Sequence, residues 1–195
     1  MLNNQGIIEI KKEIRLKMQI TKETPLNVIS ELGKECDQCN NCCKYDTGIV
    51  LKEDIPQIAA SFKLTIEDFK NKYLVKHDRF NKQCFKFKQI KDSKHTKPFG
   101  TKPYGKCIML DEEKGCTIHS IKPLHCRVCS TKSKFGEKLT QWFALNYLVN
   151  TNDPESIRQW AVYLQYNMPI QGGKLEELIP DRVKLKKILG CEILK

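Results

Sequence analysis

Residues 36–45 read CDQCNNCCKY: Cys36, Cys39, Cys42 and Cys43 place four thiols within eight positions, two of them adjacent. Thiols this dense either pair with each other or bind something else. The C-x-x-C step has a geometric reason. Two intervening residues form a tight turn, so both sulfurs can face one centre while backbone N–H groups partly offset their charge. The step repeats here, from Cys36 to Cys39 to Cys42, and Cys43 follows directly. Neighbouring side chains of an extended segment point in opposite directions. On that geometry Cys42 and Cys43 serve different centres, or only one of them ligates.

Nine of the ten cysteines lie between residues 36 and 129, and Cys191 stands apart as a small buried hydrophobe. Cys107, Cys116 and Cys126 are expected to complete the shell begun at Cys36. Cys84 and Cys129 are second-line ligands. An all-thiolate shell excludes calcium and magnesium. Zinc takes four cysteines readily. Three cysteines at x₂ spacing also resemble the ferredoxin run, which would continue C-x₃-C-P and does not here. Spacing leaves zinc and an iron–sulfur cluster both open, and the thiolate-rich repeat leans toward the cluster. His119 and His125 lie near Cys116 and Cys126, but nearby thiols outnumber them.

Around this centre the chain reads as α+β. Ile7, Ile10, Ile14 and Met18 recur at helical spacing. Thr24, Pro25 and Gly33 read as cap, first position and stop of a helix leading into Cys36. After a short extended GIVL, residues 53–62 give a helix with Ile55, Ile58, Ala59 and Phe62 on one side. Thr65 caps another, with Ile66, Phe69 and Tyr73 facing inward. CFKFKQI alternates as a strand, and residues 91–105 read as a basic loop. CIML-DEEKG-CTIH reads as a hairpin ending in Gly115 that brings Cys107 to Cys116, and Pro123 turns the chain toward Cys126. The last third is helical. One helix carries Leu139, Trp142, Phe143 and Tyr147. A second, capped by Asp153 and Pro154, carries Ile157, Trp160, Ala161, Leu164 and Met168. The expected organisation is an N-terminal helical extension (1–32), a metal-binding domain (33–130) and a C-terminal helical region (131–195) packed on it.

The quoted run, followed by GKCIML and then GCTIHSIKPLHCR, resembles the YkgJ-like CxxCxxCC cysteine-cluster family, a zinc- or iron-chelating domain. The resemblance spans about residues 33–130 and matches Cys36, Cys39, Cys42, Cys43, Cys107, Cys116, Pro123, Cys126 and Arg127. It implies metal binding by those seven cysteines. His119 stands where the family usually has Tyr, Lys122 where it has Arg, and Cys129 where an aromatic is common. Some relatives are linked to N-methylation of flagellin lysines. That link would imply a metal-dependent modification enzyme using S-adenosylmethionine. The chain shows no Gly-rich loop after a strand to cradle such a cofactor, so the activity is not carried over.

The net charge of +11 is concentrated. Residues 70–106 hold eleven Lys and one Arg against Asp78 and Asp92. Such a block can meet an acidic protein or nucleic acid. Phe80, Phe85, Phe87, Phe99 and Tyr104 interleave with the lysines as stacking residues would. A core strand with buried Phe and wet Lys accounts for Phe85 and Phe87 more simply. A lysine-rich bias of the whole chain, 29 Lys to 5 Arg, also contributes. No run of about 18 apolar residues predicts a membrane span, and the N-terminus lacks the apolar core of a secretory signal. The expected location is the cytoplasm, where clustered cysteines bind metal more often than they form disulfides. The function expected is metal handling or electron transfer. The alternatives are the modification enzyme, or a nucleic-acid or protein adaptor whose metal is only a staple.

Overall fold

The computed structural model describes residues 19–33, 41–45, 47–91, 105–129 and 133–190. The amphipathic pattern at Ile7–Met18, most of the basic loop, Phe99, Tyr104, Cys36, Cys39 and Cys191 lie outside them. In chain order the described elements begin with α1 (Leu26–Gly33), α2 (Asn41–Tyr45), β1 (Ile49–Val50), α3 (Ile55–Ser61) and α4 (Ile66–Tyr73). Strands β2 (Leu74–Arg79), β3 (Lys82–Phe87), β4 (Gln89–Lys91), β5 (Gly105–Cys107), β6 (Leu110–Asp111) and β7 (Gly115–Cys116) follow. A 3₁₀ turn at His119–Ile121 leads to α5 (Leu124–Val128), α6 (Gly136–Tyr147), α7 (Pro154–Leu164), α8 (Leu175–Leu178) and α9 (Arg182–Leu189). Helices with small antiparallel sheets make the α+β class expected from the pattern.

The organising element is the sheet β1-β3-β2. Residues paired across an antiparallel ladder share a face, and the face alternates along each strand. Val50 pairs with Phe85, and Leu74 with Phe87. These four face one apolar core, made with Ile55, Ile58 and Ala59 of α3, Phe69 of α4, and Cys107, Met109, Leu110 and Ile118. Ile49 and Cys84 occupy the opposite face. There they join a second core with Ile29 and Leu32 of α1, Leu124 and Val128 of α5, and the C-terminal helices. The sheet is therefore a partition with a separate hydrophobic core on each side.

Local signals placed several elements. Thr65 accepts from Asp68 N–H at the start of α4, and Asp153 accepts from Glu155 N–H at the start of α7. Leu139 and Phe143 of α6 and Ile157 and Trp160 of α7 are fully buried. Each Trp finds a partner for its indole N–H: Trp142 Nε1 donates to Thr24 O and Trp160 Nε1 to Gly173 O, both at 2.8 Å. Gln141 is buried with both ends of its amide used. Its Nε2 donates to Met168 O at 2.8 Å, and its Oε1 accepts from Ile170 N–H at 2.9 Å.

Several expectations are corrected. Thr24 is not the cap of α1: its hydroxyl accepts from Thr21 N–H, and the helix begins after Pro25, whose carbonyl accepts from Ile29 N–H. Gly33 does end α1, as expected, and it also allows close approach to α5, since a Cβ there would stand 2.6 Å from Arg127 O and from Val128 Cα. Ile66 and Met168 are exposed, because α4 turns only Phe69 fully inward and α7 ends at Leu164, before Met168. The Cys107–Cys116 hairpin is shorter than read. β6 pairs with β7, so Leu110 faces Cys116, while Cys107 pairs with Gln89 in the separate β4–β5 ladder. The segment at Cys42–Cys43 is helical rather than extended.

The β2–β3 hairpin carries no turn glycine. Its two-residue loop is Phe80–Asn81, with φ of 52° and 56°, the left-handed pair that a tight hairpin needs. Bulky residues resist that conformation, so long-range contacts must hold it. Phe80 is buried edge-on against Trp160 and Tyr163. Asn81 N–H donates to Gln159 Oε1, and Asn81 Nδ2 donates to Asp153 Oδ2 at 2.7 Å.

Candidate metal centre

Cys42 and Cys43 sit on α2, which packs on β5 and hence beside Cys107. Their sulfurs are 4.0 Å apart. The opposed directions expected of an extended pair do not apply on a helical turn. The thiols sense one another. Cys43 is pushed far up, first by its hydrogen bond with Cys42, then by burial, then by the charges of Cys42, Cys107 and Cys116. The same hydrogen bond is the chief reason Cys42 is held down at about 6, with the backbone N–H groups of Cys43 and Cys42 and the charge of Lys122 assisting against burial. Cys126 is pushed well up, first by burial and then by Cys107, Cys42, Cys116 and Cys129. Five thiols from four separate elements, α2, β5, β7 and α5, therefore occupy one neighbourhood.

The second-line cysteines stand differently. Cys84 lies in the sheet, its thiol donating to His77 O at 3.3 Å. Burial raises it, and the charges acting on it are Asp78, Lys86, Lys82 and Arg79 rather than other thiols. Cys129 is pushed up to about 12 by burial, against a hydrogen bond from Thr140. It packs against the C-terminal core, and its link to the group is through Cys126. None of the seven described cysteines is in a disulfide. Among the described residues, no three Cys, His, Asp or Glu side chains are disposed to hold a metal ion by themselves.

Two basic groups border the thiols. Lys122 Nζ donates to His119 Nε2 at 3.2 Å, and burial with that ammonium lowers the pKa of His119. His125 packs edge-on against Phe143, with ring centroids 4.8 Å apart. The stacking aromatics expected of a nucleic-acid surface are not available at Phe80, Phe85 and Phe87, all of which are buried.

Three residues not singled out from the sequence as parts of the site bound the helix that carries Cys126. Gly33 backs it from α1. Gly48 lies against the thiol itself: a Cβ there would stand 2.1 Å from Cys126 Sγ. Asp54 reaches it with a carboxylate oxygen, Oδ1 accepting from Leu124 N–H at 3.1 Å. Burial raises the pKa of Asp54, while the N–H groups of Leu51 and Leu124 and the charge of Arg127 pull it back down. The only sequence signals were a glycine before an apolar strand and an acidic residue before a helix. Neither names its distant partner.

Thiols are the donor chemistry of a thiophilic metal, although the described ones do not by themselves complete a shell. Several thiolates this close repel one another unless a cation stands among them, and zinc or iron supplies that cation. Residues 35–144 match the family model CxxCxxCC, described as "Putative zinc- or iron-chelating domain". The match covers more than half of the chain, and the protein belongs to this family. No solved structure matches the chain. Among the described residues no helix is long and apolar enough to cross a membrane.

Proposed function

We propose that the chain holds zinc or iron on the thiolates of Cys36, Cys39, Cys42, Cys43, Cys107, Cys116 and Cys126, for metal handling or electron transfer. The observation that carries this reading is the gathering of five of these thiols from four elements into one neighbourhood. Cys36 and Cys39 precede Cys42 at x₂ spacing and supply the donors that the described residues lack. The spacing of Cys42 and Cys43 supports a shared ion. Two sulfurs bound tetrahedrally at about 2.3 Å stand roughly 3.8 Å apart, against 4.0 Å here.

The bound metal neutralises the thiolates and, as an iron–sulfur centre, would carry an electron. The chain's own residues hold the sulfurs in a half-buried site, and Lys122 adds positive charge beside Cys42. The cytoplasmic location and the three-part organisation belong to this reading.

The test is metal and acid-labile sulfide analysis, with a visible spectrum, on protein purified without air. Wild type is expected to carry metal, and Cys42→Ser and Cys126→Ser to lose it. Visible absorption with labile sulfide assigns a cluster; a colourless zinc protein assigns a chelated ion. A folded wild type that neither carries nor takes up zinc or iron overturns the proposal.

A further inference from the structure

Helix α5 has five residues, too few to be stable alone. Its N-terminal neighbour Pro123 offers no side-chain cap. The acceptor that serves the first N–H of α5 comes from 70 residues upstream: Asp54 Oδ1 accepts from Leu124 N–H at 3.1 Å. Asp54 stands at the start of α3, yet its side chain does not cap that helix. Its other oxygen, Oδ2, accepts from Leu51 N–H at 3.0 Å, at the end of β1. Both carboxylate oxygens are therefore committed to backbone donors, one on each side of the joint between β1 and α5. Cys126 lies two residues past the tethered N–H. Its sulfur is met by Gly48, at the other end of the same β1 segment.

We infer that Asp54 is a positioning residue of the metal centre. It caps the Cys126 helix from outside and so fixes where the Cys126 sulfur stands. This rests on the reading of Cys126 as a ligand. Partners that orient a ligand without touching the metal typically change affinity by about 10–100-fold when removed. A side chain that merely added stability would lower the melting point of the metal-free protein and leave the affinity of the folded protein unchanged.

The experiment is anaerobic titration of the full chain with Zn²⁺ against a chromophoric chelator, paired with thermal unfolding of the metal-free protein. Four variants are compared with wild type: Asp54→Ala, Asp54→Asn, Cys126→Ser and Thr65→Ala. Thr65→Ala removes the cap of α4, away from the thiols, and calibrates a stability loss without a positioning role. Asp54→Ala is expected to weaken Zn²⁺ binding about 10–100-fold. Asp54→Asn, which keeps one acceptor oxygen, is expected to fall between it and wild type, and Thr65→Ala to bind as wild type. Should Asp54→Ala not fold, the Asn variant gives the same ordering.

Wild-type affinity in both Asp54 variants, with Cys126→Ser impaired, overturns the inference and leaves the ligand reading standing. An equal loss in Asp54→Ala and Thr65→Ala also overturns it, by assigning the effect to stability. Wild-type affinity in Cys126→Ser overturns the ligand reading and the inference with it.

Discussion

Replacing Gly48 by alanine is the smallest change that tests the arrangement of thiols. Gly48 has no positive φ, so an alanine there suffers no backbone penalty and its effect is steric alone. The new Cβ would lie 2.1 Å from Cys126 Sγ, whereas ordinary contact begins at 3.4 Å. The sulfur must therefore retreat by about 1.3 Å. Metal–ligand distances tolerate about 0.2 Å. Helix α5 is also held closely by α1, where a Cβ at Gly33 would stand 2.6 Å from Arg127 O. The expected result is a loss of metal affinity of at least about tenfold. A destabilisation of about 1–3 kcal/mol from overpacking should accompany it in the metal-free protein. Zn²⁺ competition and denaturant unfolding of the metal-free chain read the two effects separately. A Gly48→Ala protein that binds Zn²⁺ with wild-type stoichiometry and affinity would refute the placement of Cys126 among the ligands.

Three other expectations follow from the fold. Phe80→Ala should cost about 3–5 kcal/mol in urea unfolding, because it empties the pocket against Trp160 and Tyr163. Phe80→Gly should be more stable than Phe80→Ala by roughly 1 kcal/mol, since glycine accepts the left-handed turn; the reverse order would mean the turn is not strained. Gln141→Leu should cost about 2–4 kcal/mol by leaving the Met168 carbonyl and the Ile170 N–H buried and unpaired, measured by the same unfolding. Asp153 is held below the ordinary value of 3.8 chiefly by the hydrogen bond from Asn81. Its folded form binds fewer protons than its unfolded form, so its contribution is full above that value and is lost as pH falls through the folded one. An acid-stability profile should therefore fall less steeply below pH 3.8 in Asp153→Asn than in wild type.

What could be read from the residues alone was what they specify locally. Thr65 and the Asp153–Pro154 pair mark helix starts because capping involves only the next few residues. The helical stripe through Leu139 and Phe143 is visible for the same reason. The repeated C-x-x-C step announces a metal, and the family match to a zinc- or iron-chelating domain agrees with that much. Three things were hidden. The CIML stretch reads as one strand of a hairpin, but Cys107 pairs backward with Gln89 and only Leu110 reaches Cys116. The turn at Phe80–Asn81 lacks its usual glycine because aromatic packing from α7 supplies what local preference does not. Gly48 and Asp54 act on a helix 70 or more residues later, and no local pattern encodes that distance.

The same hairpin tip has a consequence for the order in which the chain can fold. Residues 74–87 leave the ribosome well before residues 153–163, which supply the pocket for Phe80 and the partners of Asn81. Until then the turn has only its own unfavourable torsions, and an isolated two-stranded hairpin is marginally stable at best. The contacts that hold this turn are thus completed only when the C-terminal helices arrive. A chain stopped short of α7 would leave Phe80 and the unpaired edge of β2 in water, ready to associate with other nascent chains.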